Sequence, residues 1–176
     1  MSKFLIVIDM QNDFVTGSLG SGDAILASSN IKKLLQKNEY DYVIFTQDTH
    51  YEDYLDTMEG KKLPIPHCIR GTEGWEIVPE LAEEFGGSPF TIQKETFGYS
   101  HWKSKLIEYF NFSATEDTID IVGVCTDICV ISNALILKAL FPNTPIAVIQ
   151  DCVAGTSISN NLAAITTMRA CHIDIK

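Results

Sequence analysis

Short apolar runs alternate with helical patterns along this chain, and this alternation restricts the fold more than any other feature. The runs are rich in β-branched residues and lack a clean apolar–polar alternation, as is typical of strands buried on both faces. The predicted strands are Phe4–Ile8, Tyr42–Thr46, Phe90–Ile92, Ile119–Val124, Ile146–Ile149 and, as a candidate sixth, His172–Ile175. The predicted helices are Ala27–Lys37, Trp75–Phe85, His101–Tyr109, Thr126–Leu140 and Asn160–Cys171.

Strands that alternate with helices form βαβ units around a parallel sheet. We therefore predict an α/β fold with three Rossmann-like layers, in which helices flank a mostly parallel sheet of roughly six strands. The length of 176 residues fits a single domain, residues 1–176, with a sizeable core.

Composition and charge exclude several classes of function. Hydrophobic residues make up 45% of the chain, which is typical of a globular protein, and the net charge is -10 with scattered basic residues. We therefore expect no nucleic-acid partner and no binding to anionic membranes. The five cysteines show no disulfide framework, and no targeting segment is visible, so we expect reduced thiols and a cytoplasmic location.

Polar side chains follow four of the predicted strands at the point where each strand ends. Asp9 follows the first strand, Asp48 and His50 follow the second, Lys94 the third and Cys129 the fourth. Because the carboxyl ends of parallel strands share one edge of the sheet, these residues should meet at that edge.

Cys129 has the setting of a nucleophile. It lies in the first turn of a predicted helix, where partial positive charge and free N–H groups favour a thiolate. Asp9 is a candidate base, and the Lys94 cation would favour the ionised forms of both Asp9 and Cys129. The backbone N–H groups of Cys125 and Cys129 could stabilise an oxyanion. The alternative for a single cysteine on an apolar helix is a small core residue.

A second group of residues suits a metal ion. Asp48 and His50 are two residues apart, so both side chains point the same way in an extended segment, and His67 lies in a long loop that could reach back. Two histidines and an aspartate suit zinc, iron or manganese. Glu59 is a candidate fourth ligand, although a solvated loop carboxylate beside Lys61 and Lys62 is the slightly favoured interpretation.

Several segments resemble the isochorismatase-like cysteine hydrolases, and among these the sequence is most similar to nicotinamidases. The resemblance runs from near residue 4 to about residue 170. The segments that carry it are Val7–Phe14, Gln47–His50, Pro66–Thr72, Lys94 and Gly123–Val130, and Gln150–Gly155 resembles the strand-end turn of the family.

The resemblance implies a triad of Asp9, Lys94 and Cys129, and a cis peptide between Val124 and Cys125. It also implies a divalent metal at Asp48, His50 and His67, with zinc expected before iron or manganese, that binds a pyridine nitrogen. The implied reaction is hydrolysis of nicotinamide through a cysteine thioester to nicotinate and ammonia, as in NAD salvage, with pyrazinamide as a further candidate substrate. Relatives often form homo-oligomers.

Candidates for the apolar walls around an aromatic substrate are Phe14, Ile65, Phe97 and Tyr99, each with plain core packing as its alternative. The segment after Lys94 is shorter than in many nicotinamidases, and Cys125 stands where a small residue such as alanine is common. An alternative function is therefore that of another cysteine amidohydrolase of the superfamily, which acts without a metal on a carbamoyl or ureido substrate. A further alternative is a catalytically silent binding domain.

Overall fold

One six-stranded sheet, with every pair of neighbouring strands parallel, forms the centre of the molecule. The computed structural model describes residues 1–176. The strands are β1 (Lys3–Ile8), β2 (Tyr42–Asp48), β3 (Thr91–Lys94), β4 (Thr118–Val124), β5 (Ile146–Ala154) and β6 (Asp174–Ile175). Their order across the sheet is β3-β2-β1-β4-β5-β6, which confirms the predicted α/β fold with its parallel sheet.

Helices cover both faces of the sheet. They are α1 (Asn12–Val15), α2 (Gly22–Leu35), α3 (Met58–Lys62), α4 (Pro79–Ala82), α5 (Trp102–Ser104), α6 (Ile131–Leu140) and α7 (Ile158–Ala170). A wider, π-helical turn at Lys105–Tyr109 directly follows α5, and a second one at Thr126–Val130 directly precedes α6. Short 3₁₀ turns occur at Tyr54–Asp56, Glu73–Trp75 and Glu83–Phe85.

Two hydrophobic cores lie on opposite faces of the sheet because side chains alternate along each strand. On β1, Phe4, Ile6 and Ile8 point into one core, which also receives side chains from α5, α6 and α7. Leu5 and Val7 point into the other core, together with side chains from α1, α2 and α4. The central strand is therefore buried on both sides, as its uninterrupted apolar sequence predicts.

Several predicted boundaries were wrong for identifiable reasons. Helix α2 begins at Gly22 rather than at residue 27, because the Ser21 hydroxyl accepts the Ala24 N–H and caps the helix. Helix α7 begins at Ile158 rather than at residue 160, because the Ser157 hydroxyl accepts the Asn160 N–H and caps the helix. The predicted helix Trp75–Phe85 is broken into three short pieces, one of which starts at Pro79.

Strand β5 continues to Ala154, so Gln150–Ala154 is strand rather than the predicted turn. The pairing of β4 with β5 shifts between Ile121 and Gly123, and the extra residues of β5 form a bulge there. All five cysteines are free thiols, and no helix combines the length and apolar character needed to cross a membrane.

Candidate active site

The predicted polar residues meet at the carboxyl edge of the sheet, around the point where the strand order reverses. Strand β1 lies between β2 and β4, so chain crossings leave in opposite directions and open a crevice there. Asp9 follows β1, Asp48 ends β2, Lys94 ends β3, and Cys129 follows β4 in the first helical turn.

Asp9, Lys94 and Cys129 form one buried cluster. The Nζ atom of Lys94 lies 2.6 Å from Oδ2 of Asp9 and donates to Sγ of Cys129 at 3.7 Å. Thr46 fixes the carboxylate, because its hydroxyl donates to Oδ1 of Asp9 at 2.7 Å and accepts the Asp9 N–H at 3.1 Å. The backbone of Asp9 is left-handed, with φ of 49°, which turns the chain sharply off the end of β1.

Burial dominates the protonation of this cluster. It raises the pKa of Asp9, against the opposing effect of Lys94. Burial alone would lower the pKa of Lys94, but the Asp9 carboxylate and the Cys129 sulfur outweigh it and raise that pKa. Burial and then the Asp9 charge raise the pKa of Cys129 well above its ordinary value. Burial thus favours the thiol form of Cys129, in opposition to the thiolate that the helix start favours.

Close packing places the nucleophile turn beside the end of β1. Gly123 has φ of 118°, and a side chain there would overlap the backbone of Ile8. The Val124–Cys125 peptide is cis, as the resemblance implies, and Cys125 is the extended residue before the helix. The helix begins at Thr126, as predicted, and Asp127 accepts hydrogen bonds from the N–H and hydroxyl of Thr156.

Asp48, His50, Glu59 and His67 form a second cluster, in which the ligand atoms all lie within 4.8 Å of one another. The Nε2 atom of His50 lies 3.0 Å from Oδ2 of Asp48 and 3.6 Å from Oε1 of Glu59. The Nε2 atom of His67 lies 3.9 Å and 3.7 Å from the same two atoms. Helix α3 thus brings Glu59 into the cluster, and not into solvent beside Lys61 and Lys62.

Neighbouring groups orient these four side chains. The side-chain amide of Gln11 accepts the Asp48 N–H and donates to the Asp48 carbonyl, both at 2.8 Å. The Nδ1 atom of His67 donates to the carbonyl of Ile65 at 2.9 Å, which leaves the Nε2 lone pair directed into the cluster. Two imidazole nitrogens and two carboxylates that converge from separate segments are a donor set suited to zinc, iron or manganese.

The electrostatics of the second cluster keep Asp48 ionised. Burial by itself would raise the pKa of Asp48, but the hydrogen bond to His50 and the charge of Lys94 outweigh it and lower that pKa. The Nζ atom of Lys94 lies 3.4 Å from Oδ1 of Asp48, so this lysine joins the two clusters. Burial raises the pKa of the Glu59 carboxyl.

Both clusters border one cavity of about 780 Å³. Cys129, Asp48, Glu59 and His67 are part of its lining, with Cys125 beside the nucleophile. Asp9 and Lys94 lie behind this lining. The volume falls in the range of small-molecule sites.

Two of the four predicted wall residues line this cavity. Phe14 and Phe97 do so, whereas Ile65 and Tyr99 do not. The Ile65 side chain is exposed at the surface, and the Tyr99 ring packs edge-on against Trp102. Four other apolar wall residues were not predicted. Leu19, Met58 and Leu63 come from loops and a short helix whose paths the sequence does not specify, and Ile128 comes from the turn that carries Cys129.

Three buried polar residues were also missed. Gln11 holds Asp48, Thr46 holds Asp9, and Asn133 bonds the Cys129 carbonyl at 2.8 Å. Gln11 and Thr46 adjoin predicted site residues, and this adjacency is the only signal that the sequence offered for them. Asn133 lies within an apolar helical pattern, where a buried amide needs hydrogen-bond partners, and this is the signal that could have identified it.

Known proteins are similar to nearly the whole of this chain in sequence and in fold. The nicotinamidase/pyrazinamidase of Mycobacterium tuberculosis (strain ATCC 25618 / H37Rv) is 29% identical over 184 residues, which span 98% of this chain and 97% of that protein. The crystal structure of the pyrazinamidase/nicotinamidase from Streptococcus mutans UA159 superposes with a TM-score of 0.84 at 30% identity, and covers 99% of this chain and 100% of that one.

The crystal structure of a nicotinamidase from Bacillus subtilis superposes with a TM-score of 0.82 at 27% identity, and 99% of each chain is covered. The isochorismatase domain itself matches residues 3–175, a span that includes all six strands and both side-chain clusters. On this match, the chain belongs to the isochorismatase domain family.

Proposed function

We propose that the protein hydrolyses nicotinamide to nicotinate and ammonia, with Cys129 as the nucleophile. The observation that carries the proposal is the convergence of two clusters on one cavity, a Cys–Asp–Lys group and a group of metal ligands. Relatives that cover almost the whole chain are nicotinamidases, and they support this choice of substrate.

The four ligand residues Asp48, His50, Glu59 and His67 would hold a divalent metal, for which we propose zinc before iron or manganese. Such a metal supplies a Lewis acid that can accept the lone pair of a pyridine nitrogen. The walls formed by Phe14 and Phe97 offer apolar surface to an aromatic ring that is held in this way.

The chain's own residues account for the covalent steps. Asp9 takes the proton of the Cys129 thiol, and the sulfur attacks the carboxamide carbon, so a C–S bond forms. Lys94 holds Asp9 in place at 2.6 Å and offsets the negative charge that forms on the sulfur. The N–H groups of Cys125 and Cys129 would stabilise the oxyanion.

Asp9 then returns its proton to the leaving nitrogen, the C–N bond breaks, and ammonia departs from a thioester. A water molecule that loses a proton to Asp9 attacks the thioester carbon. The C–S bond breaks as Asp9 returns that proton to the Cys129 sulfur, and the acid product loses its proton to solvent and leaves as nicotinate. One carboxyl thus acts alternately as base and acid, and this role requires the high proton affinity that burial gives it.

The cavity lining offers little to hold a substrate carboxylate. Its charged residues are Asp48, Glu59, Glu95 and Lys62, and a divalent metal on Asp48 and Glu59 would offset the charges of those two carboxylates. A substrate with its own carboxylate, such as a carbamoyl amino acid or isochorismate, would find the single exposed ammonium group of Lys62 and no arginine in this lining. A neutral aromatic amide needs no such cation.

The test is ammonia release from nicotinamide, pyrazinamide and several ureido acids by the wild-type protein, Cys129→Ala and Cys171→Ala. We expect turnover of nicotinamide that Cys129→Ala abolishes and that Cys171→Ala leaves unchanged, because Cys171 is exposed and distant in sequence from the site. Turnover of ureido acids but not of nicotinamide would refute the substrate, and an active Cys129→Ala protein would refute the nucleophile.

A further inference from the structure

Asn133 is a fully buried polar residue on α6, one helical turn after Cys129, and its side chain makes four hydrogen bonds. Its Nδ2 atom donates to the carbonyl of Cys129 at 2.8 Å and to the carbonyl of Phe97 at 3.1 Å. Its Oδ1 atom accepts the N–H of Tyr99 at 2.9 Å and the indole N–H of Trp102 at 2.8 Å. One amide therefore joins the nucleophile turn to the segment that carries a wall of the cavity.

The segment that Asn133 binds packs directly on the nucleophile helix. Gly98 lies between the two backbone groups that Asn133 bonds, and a Cβ atom at this position would lie 2.5 Å from Cδ1 of Ile136 and 3.3 Å from Cβ of Ser132. The absence of a side chain at Gly98 thus permits the close approach. Phe97, the preceding residue, lines the cavity.

The bonds also fall where the helix changes its pitch. The wide turn Thr126–Val130 is followed by the regular helix α6 from Ile131. Two side chains donate to carbonyls of the wide turn, Ser132 to Ile128 at 2.6 Å and Asn133 to Cys129 at 2.8 Å. Wide turns of this kind occur often at functional sites, where side chains satisfy the displaced backbone groups.

We propose that Asn133 is a positioning residue that sets the separation between the Cys129 turn and the Phe97 wall, and thereby the affinity for a flat aromatic amide. This inference rests on the proposed function for its substrate, but the contacts that carry it do not depend on that substrate. Only a carboxamide can satisfy the position, because two carbonyls need donors and two N–H groups need an acceptor. Aspartate would keep the acceptor and lose the donors, and leucine would lose both.

The test compares Asn133→Leu and Asn133→Asp with Trp102→Phe, a control that removes one donor from the same network but leaves both links of Asn133 to Cys129 and Phe97. We expect Asn133→Leu to raise KM for nicotinamide about tenfold, the equivalent of one lost buried hydrogen bond. Asn133→Asp should raise KM as well, because it lacks the donor to Phe97, and it serves if the leucine variant does not fold. Trp102→Phe should leave KM within about twofold.

A second measurement uses no amide turnover, so failure of the proposed function would leave it valid. The rate of alkylation of Cys129 by iodoacetamide is followed by mass spectrometry relative to the exposed Cys171. We expect a several-fold faster relative rate in the Asn133 variants, because release of the turn exposes the buried sulfur, and no change in Trp102→Phe. Asn133 variants with normal KM and normal relative alkylation, or a Trp102→Phe protein that behaves as they do, would overturn the proposal.

Discussion

Substitution of Thr46 by valine should show what the hydroxyl of Thr46 contributes to holding Asp9, apart from what its side chain contributes to packing. Thr46 is fully buried at the end of β2, and its hydroxyl both donates to the Asp9 carboxylate and accepts the Asp9 N–H. Valine has nearly the same shape, so the packing should stay and only these two hydrogen bonds should be lost. Thr144→Val is the matched control, because Thr144 is also buried and donates to a backbone carbonyl, that of Ala114 at 2.7 Å, remote in sequence from the site residues.

The two variants should differ in how much unfolding free energy and activity they lose. Loss of one neutral hydrogen bond in Thr144→Val should lower the free energy of unfolding by about 1 kcal/mol. Thr46→Val loses a charge-assisted bond and leaves the buried Asp9 N–H without a partner, so we expect a loss of about 3 kcal/mol. We also expect kcat/KM for nicotinamide to fall about tenfold in Thr46→Val only, since the base is no longer held.

The pH dependence gives the decisive comparison. Burial raises the folded-state pKa of Asp9 above its ordinary value of 3.8, so ionisation of this carboxyl costs stability as pH rises through the folded pKa, and this cost is absent below 3.8. Loss of the Thr46 bond raises the folded pKa further. The loss of unfolding free energy in Thr46→Val should therefore be largest near pH 7 and should shrink as pH falls toward 4. The loss in Thr144→Val should not change with pH.

Urea unfolding followed by circular dichroism at several pH values, with kinetics at pH 7, measures these quantities. The role of Thr46 in holding Asp9 is refuted if the two valine variants lose the same free energy of unfolding at every pH. It is also refuted if Thr144→Val loses as much activity as Thr46→Val.

Two further outcomes are expected. Glu59→Gln should lower zinc affinity roughly tenfold or more, because Oε1 of Glu59 faces both histidines. Zinc content is measured by elemental analysis after dialysis against a zinc buffer, with Glu52→Gln, at an exposed position, as the control. Equal zinc content in the two variants would mean that Glu59 is no ligand. Iodoacetamide at pH 8 should modify the exposed Cys171 first and Cys68 last, because burial encloses the Cys68 thiol and raises its pKa. Mass spectrometry that detects early alkylation of Cys68 would contradict this order.

The sequence by itself determined the architecture and every member of the two clusters except Glu59. Buried parallel strands require continuous apolar runs, and β1 and β4 are such runs, so the strand ends and the polar residues that follow them were predictable. Local signals decide these features, since they depend on neighbours within a few residues along the chain. Capping was less predictable, because Ser21 and Ser157 compete with other polar residues nearby.

Only the tertiary structure decided how the site is tuned and which residues reach it. Glu59 joins the candidate metal ligands because α3 brings it beside His50 and His67. Ile65 and Tyr99 miss the cavity, since Ile65 is exposed at the surface and Tyr99 packs against Trp102. Burial raises the pKa of the Cys129 thiol, and this burial depends on groups far apart in sequence. The roles of Gly98 and Asn133 were likewise not predictable, because their contacts form only when the segment that follows β3 packs against α6.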